Sequence, residues 1–424
     1  MNNLAINGGK PVCNEKWLDW PVINNDFIDS IQCVVKNKRW AVSGYWTGRE
    51  SFEKSFAEKF AKLHNVSYCV PVTSGSSALL IALEALDIGL GDEIIIPALT
   101  WVATATAVMN VNAKPVLVDV DPKTYCIDPD EIEKAISKRT KAIIAVHLFG
   151  CMCDMDRIME IAKKYDLKVI EDNAQTHFSM WGNDYAGTIG DIGTFSFQQG
   201  KILTSGEGGA VLTKDKKLYN RLQQLKSDGR LYIENGLINF GFMDIEAKGE
   251  VFGCNYNLSE IQAAMLLNQM DLVQNQNNTR FQNAAYLDEK LSGIDGISIM
   301  EPYSKNKNRT YYGYIVKFDN TKFGKLSGAE IARLLQAELL LGSFFLHAPY
   351  LPINKTPLFC PWKSKRYLPE FAKNEQYWRS LQYPISESAS ESAVFFQHSV
   401  LLNKRENLDA IIESFKKIKA VFAT

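Results

Sequence analysis

Lys201 stands in the run Phe195-Ser196-Phe197-Gln198-Gln199-Gly200-Lys201, which leads into Ser205-Gly206-Glu207-Gly208-Gly209. Upstream, an apolar run closes on Val169-Ile170-Glu171-Asp172-Asn173-Ala174-Gln175. An amine among glycines, a carboxylate delivered by a buried strand and nearby hydroxyls are the parts of a pyridoxal 5'-phosphate site. The lysine serves the Schiff base, the acid keeps the pyridine nitrogen protonated, and small or hydroxylated residues take the phosphate. A single lysine carries no such message, because the chain has 47 Lys plus Arg and most such residues coat the surface. The conjunction does.

The turn Thr73-Ser74-Gly75-Ser76-Ser77, between an apolar run and an Ala/Leu/Ile helix, suits a dianion. Helix-terminal amides point at the ligand, glycine lets it approach, and serine hydroxyls add donors. The same residues would also make a plain serine N-cap and glycine turn; beside the lysine segment the phosphate reading is preferred. Ser196, five residues before Lys201, offers a further hydroxyl to the phosphate. Asp172 ends a strand, where open α/β sheets gather ligands, and there it either faces the pyridine nitrogen or caps the next helix. Gln175, one helical turn on, can reach the phenolic oxygen of the cofactor. Trp101 follows Ile94–Thr100 and either stacks on the ring or joins the core. His147 either lines the pocket or is a hydrogen-bonded structural histidine.

These residues need a scaffold of strands that end together. Phe52, Phe56, Phe60 and Leu63 recur at helical spacing. After them the chain alternates: strand Tyr68–Val72, a helix, strand Glu93–Ile96, a helix through Thr104–Val111, strand Pro115–Val120, a helix near Pro129–Ser137, and strand Ala142–Val146. Helix Met155–Tyr165, capped by Asp154, and strand Lys168–Ile170 follow. Apolar strands separated by helices of this length imply right-handed crossovers and a mostly parallel sheet covered on both faces. Thr194–Phe197 and Gly209–Leu212 read as strands flanking the lysine turn. Ser259–Asn275 reads as an amphipathic helical spine, Thr310–Phe318 as a strand, Pro349–Tyr367 as a long aromatic loop and Asn407–Phe422 as a closing helix. The stretch Asp228–Glu250 is polar and gives no clear element.

The chain has 424 residues, 46% hydrophobic and 22% charged, which fits a globular protein with a substantial core and two or three units. A net charge of −1 gives no electrostatic case for nucleic acid. No apolar run reaches bilayer length and the first residues lack a signal-peptide pattern, so no membrane role and a cytoplasmic location are expected. The cysteines and the five histidines show no ligand spacing, so no metal is expected; Cys151 and Cys153 read as reduced, buried thiols.

The chain resembles the DegT/DnrJ/EryC1/StrS aminotransferases, pyridoxal phosphate enzymes that aminate keto-sugars and keto-cyclitols. The likeness rests on Ser74-Gly75-Ser76, Gly91-Asp92-Glu93, Pro97 to Trp101, Val146 to Gly150, Glu171 to Gln175, Phe195 to Lys201, Gly206 to Gly209 and Gly253 to Glu260. It implies an α/β fold of fold-type I, like aspartate aminotransferase. The expected plan is an N-terminal arm (1–34), a large mostly parallel α/β/α unit (35–270) and a smaller C-terminal α+β unit (271–424). The resemblance implies that Lys201 and Asp172 are catalytic. It also implies that Trp101, Gln175, Gly75, Ser76 and Ser196 bind the cofactor, and that Asn255 is lent to the neighbour's phosphate in a homodimer with shared active sites. Members often carry arginine where this chain has Asn257, which leaves the holder of the donor carboxylate open.

Within the family the chain is more similar to aminotransferases that use L-glutamine and a keto-cyclitol, 2-deoxy-scyllo-inosose or scyllo-inosose, in aminoglycoside biosynthesis. That likeness rests on Arg39 to Gly48, Thr310 to Tyr314, Leu346 to Pro352 and Pro357 to Trp362. Tyr45, His347 and Tyr350 are the substrate candidates. The alternative within the family is a nucleotide keto-sugar aminotransferase using L-glutamate.

Overall fold

The protein's computed structural model describes residues 3–233 and 238–422. Its largest sheet has seven strands: β1 (Tyr68–Val72), β2 (Glu93–Pro97), β3 (Lys114–Val118), β4 (Thr140–Val146), β5 (Lys168–Asp172), β6 (Ile192–Ser196) and β7 (Gly209–Thr213). Their spatial order is β1-β7-β6-β5-β4-β2-β3. The run from β6 to β3 is parallel, and β7 lies antiparallel to both its neighbours. Strands β2, β6 and β7 are buried along their whole length, so they are apolar runs without alternation. Helices of Ala, Leu and Ile cover them, and the core is continuous around Ile94–Ile96, Ile143–Ile144 and Val169–Ile170.

The expected spine is longer than its amphipathic stretch suggests. It runs from Glu260 to Leu291, 32 residues, because no glycine or proline interrupts it before Gly293. Ser259 and Gln262 form a reciprocal cap at its start. Beyond it, a four-stranded antiparallel sheet is built from Ile297–Ile299, Gly313–Phe318, Ala393–Gln397 and Leu346–His347, in that order. Ala393–Gln397, central in this sheet, has no periodicity in sequence because every residue is buried. Within Asp228–Glu250, Arg230–Tyr232 pairs with Ile245–Ala247; residues 234–237 lie outside the described residues.

The N-terminal segment packs against this second sheet's unit: the Cys13 amide donates to Glu338 O (2.9 Å), and the Trp17 indole donates to Leu339 O (2.7 Å). Among the described residues no helix is long and apolar enough to cross a membrane, and no group of three or more His, Cys, Asp or Glu is arranged to hold a metal ion.

Candidate active site

The carboxyl ends of β4, β5 and β6 open into a cavity of about 530 Å³, roofed by Tyr312, Phe344, His347, Tyr350 and Gln397 from the C-terminal unit. Gly75, Ser76, Trp101, Asp172, Gln175, Ser196, Lys201, His347 and Tyr350 all line it. Tyr45 and Asn255 do not. Tyr45 is 41% exposed with its ring centroid 5.9 Å from that of Phe240, and the Asn255 side chain accepts from the Asn257 backbone amide (3.2 Å) and Nδ2 (3.0 Å).

At one end of the cavity the helix Gly75–Ala85 begins. Ser74 and Ser77 cap each other's backbone amides, while those of Gly75 and Ser76 have no intrahelical carbonyl to bond. A Cβ at Gly75 would fall 2.7 Å from Ser196 Cβ, so only glycine lets the helix start and the end of β6 close into one cradle. Two amides, a helix N-terminus and the Ser196 hydroxyl make a pocket for a dianion.

Asp172 lines the same cavity. Its Oδ1 accepts from the Ala174 amide (3.2 Å) and its Oδ2 from the Thr104 hydroxyl (3.2 Å). Burial pushes its pKa up, opposed by those two hydrogen bonds and by the charge of Lys201. A cation brought against the carboxylate would reverse that push. The adjoining Glu171 points the other way. It accepts from Ile189 N (2.7 Å), Gly190 N (2.8 Å), Gly187 N (2.9 Å) and His147 Nε2 (3.1 Å), while the Cys153 amide donates to His147 Nδ1. His147 is therefore the structural histidine of its two readings, with the ring proton on Nε2.

Lys201 sits in the turn between β6 and β7. Its amide donates to Gln198 O (2.8 Å), Gln199 N to Gly206 O (2.8 Å) and Phe197 N to Gly208 O (2.8 Å). Gly206 adopts φ +82°, which a Cβ would strain. Lys201 Nζ lies 4.2 Å from the centroid of the Tyr312 ring. Trp101 is half exposed at the cavity, which rules out a core role, and its ring centroid is 5.7 Å from that of Tyr350. The Phe149 amide donates to Gln175 Oε1 (2.8 Å), so Gln175 Nε2 is fixed as a donor, 3.4 Å from the Tyr350 hydroxyl. His347 Nδ1 lies 2.6 Å from Ala348 O and must donate there, leaving Nε2 as an acceptor; burial lowers its pKa, so the ring is neutral near pH 7.

Sequence reasoning missed Thr104, Tyr312, Phe344 and Gln397. Thr104 had a local signal, one helical turn from Thr100 and behind Trp101. The others come to the cavity from across the chain, and only Tyr312 stood in a quoted run.

The model of the DegT/DnrJ/EryC1/StrS aminotransferase family matches residues 28–416. An L-glutamine:2-deoxy-scyllo-inosose aminotransferase of Micromonospora echinospora is 40% identical, the match covering 99% of this chain and 98% of that protein. An L-glutamine:scyllo-inosose aminotransferase of Streptomyces griseus is 37% identical over 98% of this chain and 97% of that protein. Among solved structures, 3-amino-5-hydroxybenzoic acid synthase aligns with a TM-score of 0.81 at 26% identity, covering 96% of this chain and 99% of that one. An aminotransferase from Psychrobacter cryohalolentis aligns with a TM-score of 0.80 at 26% identity, covering 96% and 100%.

Proposed function

The chain belongs to the DegT/DnrJ/EryC1/StrS aminotransferase family, and from that premise we propose that it moves an amino group from L-glutamine to a keto-cyclitol, 2-deoxy-scyllo-inosose or scyllo-inosose. The cofactor is pyridoxal phosphate, and the cavity fits it: a cradle that a Cβ at Gly75 would fill, an acid and an amine line the same space.

In this reading Lys201 holds the cofactor, Asp172 faces its ring nitrogen, and Gly75, Ser76 and Ser196 take its phosphate. Trp101 covers the ring and Gln175 Nε2 donates to the phenolic oxygen. When bound, the group supplies an electron sink that acidifies the α-C–H of the amino donor. Lys201 Nζ takes that proton and returns it, acting as base and then acid. Asp172 keeps the sink cationic by staying ionised.

The substrate class is carried by one observation: among the described residues lining the cavity, Lys201 is the only Lys or Arg. Two phosphates of a nucleotide-linked sugar call for arginine or lysine partners. An uncharged polyol calls for neutral donors and acceptors instead, and Ser343, His347 Nε2 and the Tyr350 hydroxyl supply them. This favours the keto-cyclitol over the nucleotide keto-sugar.

Tyr45 and Asn255 are assigned to the neighbour's site in a homodimer. Phe240, Phe242, Met243 and Phe252 are exposed, Trp46 N donates to Phe242 O (2.7 Å), and such an apolar surface calls for cover. Eight unpaired cysteines agree with a cytoplasmic location.

Two experiments test the reading. Loading the enzyme with L-glutamine or L-glutamate, then offering 2-deoxy-scyllo-inosose, scyllo-inosose or a nucleotide keto-sugar, should give a mass-shifted product only with glutamine and an inosose. Product from the nucleotide sugar alone would overturn the substrate class. Lys201→Ala should lower turnover by about 10⁴-fold, and mixing it with Asn255→Ala subunits should restore part of the activity through hybrid dimers. No recovery would refute the shared site.

A further inference from the structure

Beside the lysine turn lies a buried cation that pairs with no acid among the described residues. Arg280, on the spine helix, is fully buried, and the groups it meets are neutral: Asn277 Oδ1 (2.8 Å), Gln276 Oε1 (3.3 Å), His398 Nδ1 (3.1 Å) and the face of Trp20, 5.6 Å from its guanidinium carbon. Burying a guanidinium against neutral groups is a stability cost. Burial lowers its pKa only to about 9, so it stays charged near neutrality.

Arginine can only donate, so His398 Nδ1 must accept, and the His398 proton is forced onto Nε2. That nitrogen lies 3.2 Å from the carbonyl oxygen of Gly200. The other end of the same peptide, Lys201 N–H, donates to Gln198 O at 2.8 Å. Both polar ends of the planar Gly200–Lys201 peptide are thus tied, and its plane sets the direction in which the Lys201 side chain leaves the backbone. The preceding carbonyl, Gln199 O, accepts from the Trp20 indole at 2.8 Å, and the Trp20 ring meets His398 edge to face at 4.4 Å.

We propose that Arg280 and His398 are positioning residues for Lys201: the guanidinium fixes the imidazole tautomer, and the imidazole N–H holds the peptide that aims the amine. This rests on the reading of Lys201 given above. The arrangement joins the spine helix, the C-terminal unit and the N-terminal segment at one peptide, so the aim of the amine depends on all three being in place.

The test uses holoenzyme and four proteins. His398→Phe removes the donor, His398→Gln places an amide N–H near Nε2, and Arg280→Gln removes the charge. The wild type sets the reference for the pH midpoint of the visible absorbance of the lysine-linked cofactor, the rate of borohydride trapping at Lys201, kcat and KM. His398→Phe should lower kcat about 10- to 100-fold with little change in KM, slow trapping by several-fold and displace the pH midpoint. Arg280→Gln should do the same to a smaller degree, and His398→Gln should recover most of what His398→Phe loses.

If His398→Phe does not fold, Arg280→Gln and His398→Gln decide the matter: a wild-type midpoint and trapping rate in Arg280→Gln overturns the proposal. So does a His398→Phe enzyme that melts earlier yet keeps the wild-type midpoint, trapping rate and kcat. A wild type without visible absorbance or trapping overturns the reading of Lys201 itself, a separate failure.

Discussion

Two carboxylates sit side by side at the end of β5, and the protein treats the regions they face in opposite ways. Behind the sheet, Glu171 pins the loop 187–190. Burial would raise its pKa, but the His147 hydrogen bond and the loop amides outweigh it and hold it below its ordinary value. On the cavity side, Asp172 has two weak partners, and burial wins. Sequence period alone sends neighbouring residues of a strand to opposite faces. What differs is satisfaction: Glu171 has spent its lone pairs on backbone amides, while Asp172 keeps capacity for a ligand. An unmet buried carboxylate facing a cavity is a better mark of a site than a buried carboxylate as such.

The sharpest way to break the comparison is to exchange the consequences. Asp172→Asn should lower kcat/KM by about 10³-fold, whereas Glu171→Gln, corrected for folded fraction, should stay within about tenfold; equal losses in a steady-state assay would erase the distinction. Next in size is stability. Glu171→Gln replaces one acceptor oxygen with an NH2 donor that faces amide donors, and urea unfolding of the cofactor-free protein should show a loss of about 2–4 kcal/mol. Asp172→Asn should instead gain stability near neutral pH, because it removes a buried charge whose pKa burial has raised.

The pH dependences carry opposite signs. The folded pKa of Asp172 is raised, so the cost of its charge is absent below the unfolded value and complete only above the folded one; the Asp172→Asn gain should vanish on acidification. The folded pKa of Glu171 is lowered, so its contribution is present above the unfolded value and lost as pH falls through the folded one. Cofactor affinity, followed by absorbance, should weaken as pH drops through the raised pKa of Asp172, because a protonated acid cannot pair with a cationic ring nitrogen. The smallest effect expected is for Thr104→Val, a few-fold loss in cofactor affinity from one neutral hydrogen bond.

The parallel sheet and the groups at its strand ends were legible because they are local. Lys201, Asp172, Gly75 and Ser76 each stand at the end of a strand or within five residues of it, and the glycines mark where backbone must approach backbone. Trp101 and His147 had two readings each, and exposure decided one while hydrogen bonding decided the other. What could not be read is what long-range contact creates. The roof from Tyr312, Phe344 and Gln397 depends on how a second sheet docks. Arg280 gave no signal at all: among the asparagines and glutamines of Gln274–Asn278 it looks like one more solvated helix residue, and only packing against Trp20 and His398 buries it. The spine helix was cut short at Asn275 because the same polar run hides the apolar stripe continuing through Ala284, Leu287 and Leu291.

The N-terminal segment has a consequence for biosynthesis on the ribosome. Leu18 bonds through its amide to the side chain of Asn403, 385 residues away along the chain. At about 5–20 residues per second, Leu18 waits roughly 20 to 80 seconds for that partner to be made. The large sheet can assemble meanwhile, but the tether from Trp20 to the lysine turn can be secured only once His398 and Asn403 have been made. The newborn enzyme is thus expected to gain its shape well before its full capacity to grip vitamin B6.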